Sequence, residues 1–293
     1  MTTRQEILDF YTCPAVMTSG CGYAPMFAEL PHDVAALARV VQGLLLHEHA
    51  APAYGVELSG ERKSESHIRA VERMLGRLLA DDAQPLSVAR PVDERLVGVC
   101  RHFTVLLVAM LRAKGVPARA RCGFGSYFAP GCFYDHWVCE YWNPAETCWV
   151  RVDAQLDEVQ RTMLKVDFDA LDVPHDRFVI AGDAWAQCRA GDADPSRFGI
   201  FALRGLWFIA GNLVRDLAAL NNMEMLPWDV WGAMIRPDEP PRDDQLALFD
   251  RLAALTRAPD ASFAELRALY EEDDRLHVPA TVFNAVLNRP EAM

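Results

Sequence analysis

The sequence predicts an α+β fold. Three observations carry it: an apolar helical run over Val99–Ala113, three short strand-like runs directly after it, and helical periodicity before and beyond them. The strand-like runs are Ala118–Phe124, Asp135–Trp142 and Cys148–Asp153, rich in β-branched and aromatic residues and separated by Gly, Pro and Asn.

In chain order, Asp33 caps an apolar segment, Val34–Leu46, that reads as a buried helix. A second helix is amphipathic, with Ile68, Val71, Met74, Leu75, Leu78 and Leu79 at intervals of three and four and Arg69, Glu72, Arg73 and Arg77 facing water. Asp81–Arg95, with two prolines and several charges, reads as a surface connection. The central helix begins at or near Cys100, and Lys114, Gly115 and Pro117 suit its end. After the strands, from Ile180 onward, the pattern is helical again. It includes an apolar stretch at Phe198–Leu220, a periodic one with Leu246, Phe249, Leu252 and Leu255, and a capping box at Ser262–Glu265. Pro237–Pro241 is a candidate hinge, and no internal repeat or long linker is present. We read one catalytic unit over 1–293, made of an N-terminal helical part (1–94), a core region (95–158) and a mostly helical C-terminal part (159–293).

Composition narrows the function. The 293 residues are 51% hydrophobic, enough for a buried core, and 41 acidic against 29 basic residues give a formal charge of -12. Such a surface repels phosphate backbones and anionic lipid, so nucleic acid and membrane are not expected partners. The start Met-Thr-Thr-Arg-Gln-Glu has no export signature and no apolar run reaches bilayer length, so a soluble cytoplasmic protein is expected. The eight cysteines (13, 21, 100, 122, 132, 139, 148 and 188) form no Cys-x-x-Cys pair, which argues for reduced thiols and against structural zinc. His47-Glu48-His49 and the Asp172, His175, Asp176 cluster read as solvated residues, not metal ligands.

An isolated cysteine is ordinarily core filler. Cys100 differs because the first turn of a helix offers unpaired N–H groups and a partial positive charge that favour a thiolate. Gly98 leaves room for a substrate backbone, and the Cys100 amide is a candidate oxyanion donor. A hairpin centred on the loop Asn143–Glu146 pairs positions whose numbers sum to 289, which sets His136 opposite Asp153. Cys100 is then the nucleophile, His136 the base and acid, and Asp153 the group that orients the imidazole. Arg101, His102 and Trp137 are candidate substrate contacts, Arg101 being equally suited to a structural ion pair under the helix. Asp135 reads as the end of a strand. Trp137, Trp142, Trp185 and Trp207 suit a water-excluding wall or plain core.

The blocks Gly98-Val99-Cys100-Arg101, Leu111–Arg119, Asp135–Glu140 and Trp149–Asp153 together resemble the core signature of the transglutaminase-like superfamily over about 95–158. The resemblance implies a papain-like α+β core, with the cysteine at a helix head packed on a sheet that carries the His and Asp. It implies the same three residues as the triad. Two departures bear on substrate choice: many bacterial members have an acidic residue where this chain has His102, and commonly a spacer where His136 and Trp137 adjoin. The expected activity is cysteine-dependent acyl transfer or amide hydrolysis through a thioester, on a peptide, protein or small acyl substrate, which a carrier could deliver. Cysteine, imidazole and carboxylate suffice for it, so no cofactor or metal is expected. The alternative is a catalytically silent papain-like scaffold or peptide-binding protein.

Overall fold

Leu96–Gly98 runs as a short strand, Val99 is extended, and the helix Cys100–Ala113 starts at the next residue. The computed structural model that shows this describes residues 2–80, 83–237 and 239–293. Internal contacts divide the chain into two compact units. The first holds Leu8–Ala120 and Trp137–Pro174; the second holds Met1–Ile7, Arg121–His136 and His175–Met293. The mixed α+β class is the one the sequence predicts.

In the first unit the Cys100 helix is buried from Cys100 to Arg112, as its all-round apolar sequence requires. Its end is a Schellman motif: Gly115 has φ +75°, its N–H bonds to Arg112 O, and the Val116 N–H bonds to Leu111 O. Against it packs the helix Val34–Leu44, where the Asp33 carboxylate accepts the Ala36 N–H at 2.8 Å. That helix is two residues shorter than expected. Leu45–His47 leaves it to pair in parallel with Leu96–Gly98, a long-range partner invisible to local periodicity. The amphipathic helix covers Val71–Leu79, with Val71, Met74 and Leu75 buried. Asp81 and Asp82 of the expected connection lie outside the described residues. The rest of it is not all surface, since Leu86 is buried and the buried Arg90 guanidinium donates to the carbonyls of Gln84, Pro85 and Val88.

The hairpin is where expected, but its register is not. The strand Phe133–Asn143 pairs with Cys148–Val152 from Asn143↔Cys148 to Cys139↔Val152, so partners sum to 291, not 289. Asn143 remains a strand residue and the loop is Pro144–Thr147, with Thr147 at φ +53° and Asn143 Oδ1 accepting the Ala145 N–H. The direct opposition of His136 and Asp153 is therefore corrected: the ladder stops at Val152, and one further step sets Asp153 against Val138. Buried charges brace the hairpin. Glu140 accepts from Arg119 at 2.8 Å and from Arg151 at 3.1 Å, and the Arg119 guanidinium lies 4.0 Å from the Trp149 ring centre.

In the second unit, Gly123–Gly125 pairs antiparallel with Phe178–Ile180, and Phe133-Tyr134 pairs in parallel with Phe198-Gly199. The expected single stretch Phe198–Leu220 is broken into a tight hairpin, Phe198–Ile200 with Leu203-Arg204, and the helix Leu206–Leu220. Gly199 at φ +148° and Gly205 at φ +120° make the break, and a Cβ on Gly199 would lie 2.0 Å from Leu203 O. Helix Leu206–Leu220 packs with Ala181–Ala190 and Asp243–Arg257, where the Trp185 and Phe249 rings are 5.2 Å apart. Asp216 on it takes Arg121 at 2.9 Å and the Cys122 N–H at 2.8 Å. Two helical expectations need correction. Ser262 begins the helix Phe263–Glu272 without a side-chain cap, Glu265 pairing instead with Arg251 at 2.9 Å. Residues Thr281–Asn284 and Arg289–Ala292 form a hairpin, joined by Asp229-Val230. Of the candidate hinge, Asp238 lies outside the described residues. No helix among the described residues is long and apolar enough to cross a membrane.

Candidate active site

Strand pairing to Leu45–His47 fixes Leu96–Gly98, and the extended Val99 turns the chain into the Cys100 helix, so Cys100 is its first residue. Cys100 keeps 7% of its surface exposed, and its carbonyl accepts the Thr104 hydroxyl at 3.2 Å. Its neighbours point inward. Arg101 is fully enclosed and donates to the Arg69 carbonyl, tying the helix start to the segment before Val71. His102 is enclosed too, its ring nitrogens engaged by the Val99 N–H at 3.1 Å and the Ile68 carbonyl at 3.0 Å. Gly98 leaves room for that ring: a Cβ there would lie 2.8 Å from His102 Cβ and Cγ.

Asp153 follows the hairpin in the same unit and is buried. Its N–H bonds to Ala170 O at 2.8 Å, and its Oδ1 accepts the Gln155 N–H at 3.1 Å, an Asx turn that orients the carboxylate. A polar chain follows from Gln155: its amide donates to Gln160 at 2.8 Å, Gln160 donates to the Tyr54 hydroxyl at 3.2 Å, and Tyr54 donates to Asp157 at 2.7 Å. Burial and the Asp157 carboxylate push the Tyr54 phenol upward, so it stays a donor. Trp137 is buried in this unit with its indole N–H enclosed and unbonded.

His136 belongs to the second unit, where it ends the stretch from Arg121. It is buried among Phe128, Tyr127 and Phe178, whose ring centres are 4.9, 5.7 and 6.2 Å from its own, all near edge-to-face. Asp135 lies inside the strand instead of ending it, and its carboxylate accepts the Asn212 amide at 2.7 Å. Burial pushes the Asp135 carboxyl upward against the pull of Arg215.

The first turn of one helix thus gathers Cys100, Arg101 and His102. Sequence reasoning missed the rings around His136 and the Gln155, Gln160, Tyr54, Asp157 chain, neither of which has a local signal. His102 did have one, at the third position of a helix begun by an extended residue. Of the proposed aromatic wall, Trp185 donates to Asp250 at 2.7 Å and Trp207 to Arg204 O at 2.9 Å. Buried Cys139 is pushed far upward by desolvation, an inert core thiol. His47 Nδ1 accepts the His49 N–H at 3.2 Å.

Residues 52–154 match the family model of the transglutaminase-like superfamily. The matched segment contains Cys100, His136 and Asp153 and reaches further toward the N-terminus than the four sequence blocks. No curated protein matches the chain. Among solved structures it is similar to one named "putative cysteine protease" from Cytophaga hutchinsonii, at 17% identity and a TM-score of 0.36. The likeness covers 61% of this chain and 46% of that one, so the chain spans less than half of that protein.

Proposed function

With a transglutaminase-like segment over residues 52–154 as the premise, we propose that the protein is a cysteine-dependent enzyme that forms a thioester on Cys100. The observation that carries the reading is the place of Cys100 as first residue of a fourteen-residue helix, inside the family-matched segment, buried but with 7% of its surface still accessible. The first-turn N–H groups and partial positive charge there lower the cost of a thiolate. In this reading His136 takes the thiol proton, the sulfur attacks an acyl carbon, and the imidazolium then protonates the leaving amine. Asp153 holds the imidazole tautomer and supports its charge. Water or an amine then attacks the thioester, regenerating the thiol; water makes the protein an amidase or protease, an amine makes it an acyltransferase. Peptides and proteins are the substrate class, with small or carrier-borne acyl groups as the narrower option.

Intact-mass measurement of wild type and Cys100→Ser with candidate acyl donors tests this. A covalent adduct on wild type alone, released by hydroxylamine, supports the thioester, and the acceptor that discharges it names the reaction. An adduct on both proteins, or a Cys100 that iodoacetamide labels no faster than a surface thiol, favours the silent scaffold.

A further inference from the structure

The chemistry just described makes no use of His102, a buried imidazole two residues past the nucleophile. Its two bonds dictate its state. The Val99 N–H only donates and the Ile68 carbonyl only accepts, so Nδ1 carries the lone pair and Nε2 the proton. Desolvation, with the nearby charges of Arg101 and His67, pushes its pKa down to about 3, against the opposing pull of the Ile68 carbonyl.

The position is what makes this consequential. His102 is the third residue of the helix and Val99 is its cap, so the ring returns a bond to the cap N–H as a Glu or Gln does in a capping box. A carboxylate there would put negative charge in the same turn whose positive end favours the Cys100 thiolate. A neutral ring supplies the bond without the charge. It also reaches across to Ile68, just after the 3-10 turn Glu65–His67, and its Cβ and Cγ fill the space that Gly98 leaves open. Contact at Gly98 and a hydrogen bond at Val99 therefore fix the two residues that deliver Cys100.

We propose that His102 is a positioning residue, which holds the Gly98–Cys100 backbone in one conformation and adds no negative charge beside the reactive sulfur. The proposal rests on Cys100 being the nucleophile. It is tested by measuring the iodoacetamide labelling rate of Cys100 from pH 4 to 9, peptide by peptide, in wild-type protein and in His102→Gln, His102→Glu and His102→Ala. Circular dichroism and thermal melting establish that each is folded. Glu keeps the acceptor for Val99 but brings charge; Gln offers both an acceptor for Val99 and a donor for Ile68. The pH midpoint of labelling is expected to rise by about one pH unit in the Glu variant, making Cys100 about tenfold slower near pH 6. The Ala variant is expected to be slowed several-fold, and Gln to recover most of that loss. Where the Ala or Glu variant does not fold, Gly98→Ala, which pushes the ring aside, is expected to raise the midpoint in the same direction. A low wild-type midpoint that the folded variants leave in place overturns this proposal alone. A wild-type midpoint in the ordinary thiol range overturns the nucleophile as well.

Discussion

The side-chain amide of Asn212 donates to Asp135 at 2.7 Å, while its oxygen accepts from Arg215 at 3.1 Å. One neutral side chain on the helix Leu206–Leu220 thus links a buried base of that helix to a buried acid on the strand, the residue that precedes His136. Removing it leaves polar atoms at both ends without that partner. Asn212→Leu, similar in branched shape, is expected to lower the unfolding free energy by about 2–3 kcal/mol. Urea titration checks this, and a loss within experimental scatter would mean the amide is not the link.

The buried state of His102 makes stability depend on pH. In an unfolded chain its imidazole binds a proton near the ordinary value of 6.5, in the folded chain only near 3. Between those values the unfolded state holds more protons, so stability falls as pH falls; the contribution is complete above about pH 6.5 and is lost toward pH 3. Below pH 6, wild-type protein should lose about 1.4 kcal/mol per pH unit more than His102→Gln. Urea midpoints at pH 7, 6 and 5 measure the difference, and parallel slopes would contradict it.

Much of this was legible because it is local. Asp33, the Lys114–Pro117 ending and the Cys100 helix start each depend on a few adjacent residues, and each stands where the sequence put it. What was not legible depends on distant partners. The helix from Val34 stops early because Leu45 meets Leu96, and the ring of His102 meets Ile68, thirty-four residues away. The hairpin slipped by two residues because nothing local says that Asn143 stays paired and that Thr147 takes the left-handed turn. The shift is even, so the paired residues 139–143 and 148–152 keep the faces of the expected register while changing partners.

That turn carries its own test. Thr147 is β-branched and sits at φ +53°, a region such side chains disfavour, on an exposed loop. Glycine meets no such penalty there. Thr147→Gly is expected to stabilise the protein by about 0.5–1 kcal/mol, and Thr147→Val to give no gain. Thermal melts of the three proteins decide it; a Gly variant that melts lower would show that the threonine side chain holds the turn.

Glu140 sits between Arg119 and Arg151, all three buried in the first unit, on the strand that continues from the candidate site. Two guanidinium groups share one carboxylate, and Arg119 also stacks on Trp149, so the cluster's desolvation is offset by directed bonds as well as by charge. Glu140→Gln keeps the shape and removes the charge, leaving both cations against a neutral amide. A loss on the order of 3 kcal/mol is expected. Because the cluster is shielded from solvent, 0.5 M salt should change that loss little. The pair Arg251–Glu265 is the natural control, being about half exposed on both sides: Glu265→Gln should cost less than about 1 kcal/mol, and that cost should shrink in salt. Chemical denaturation of both variants at low and high salt separates the cases. Equal and salt-sensitive losses would mean that water reaches Glu140 and that the arginines do not brace the hairpin in the way their bonds imply.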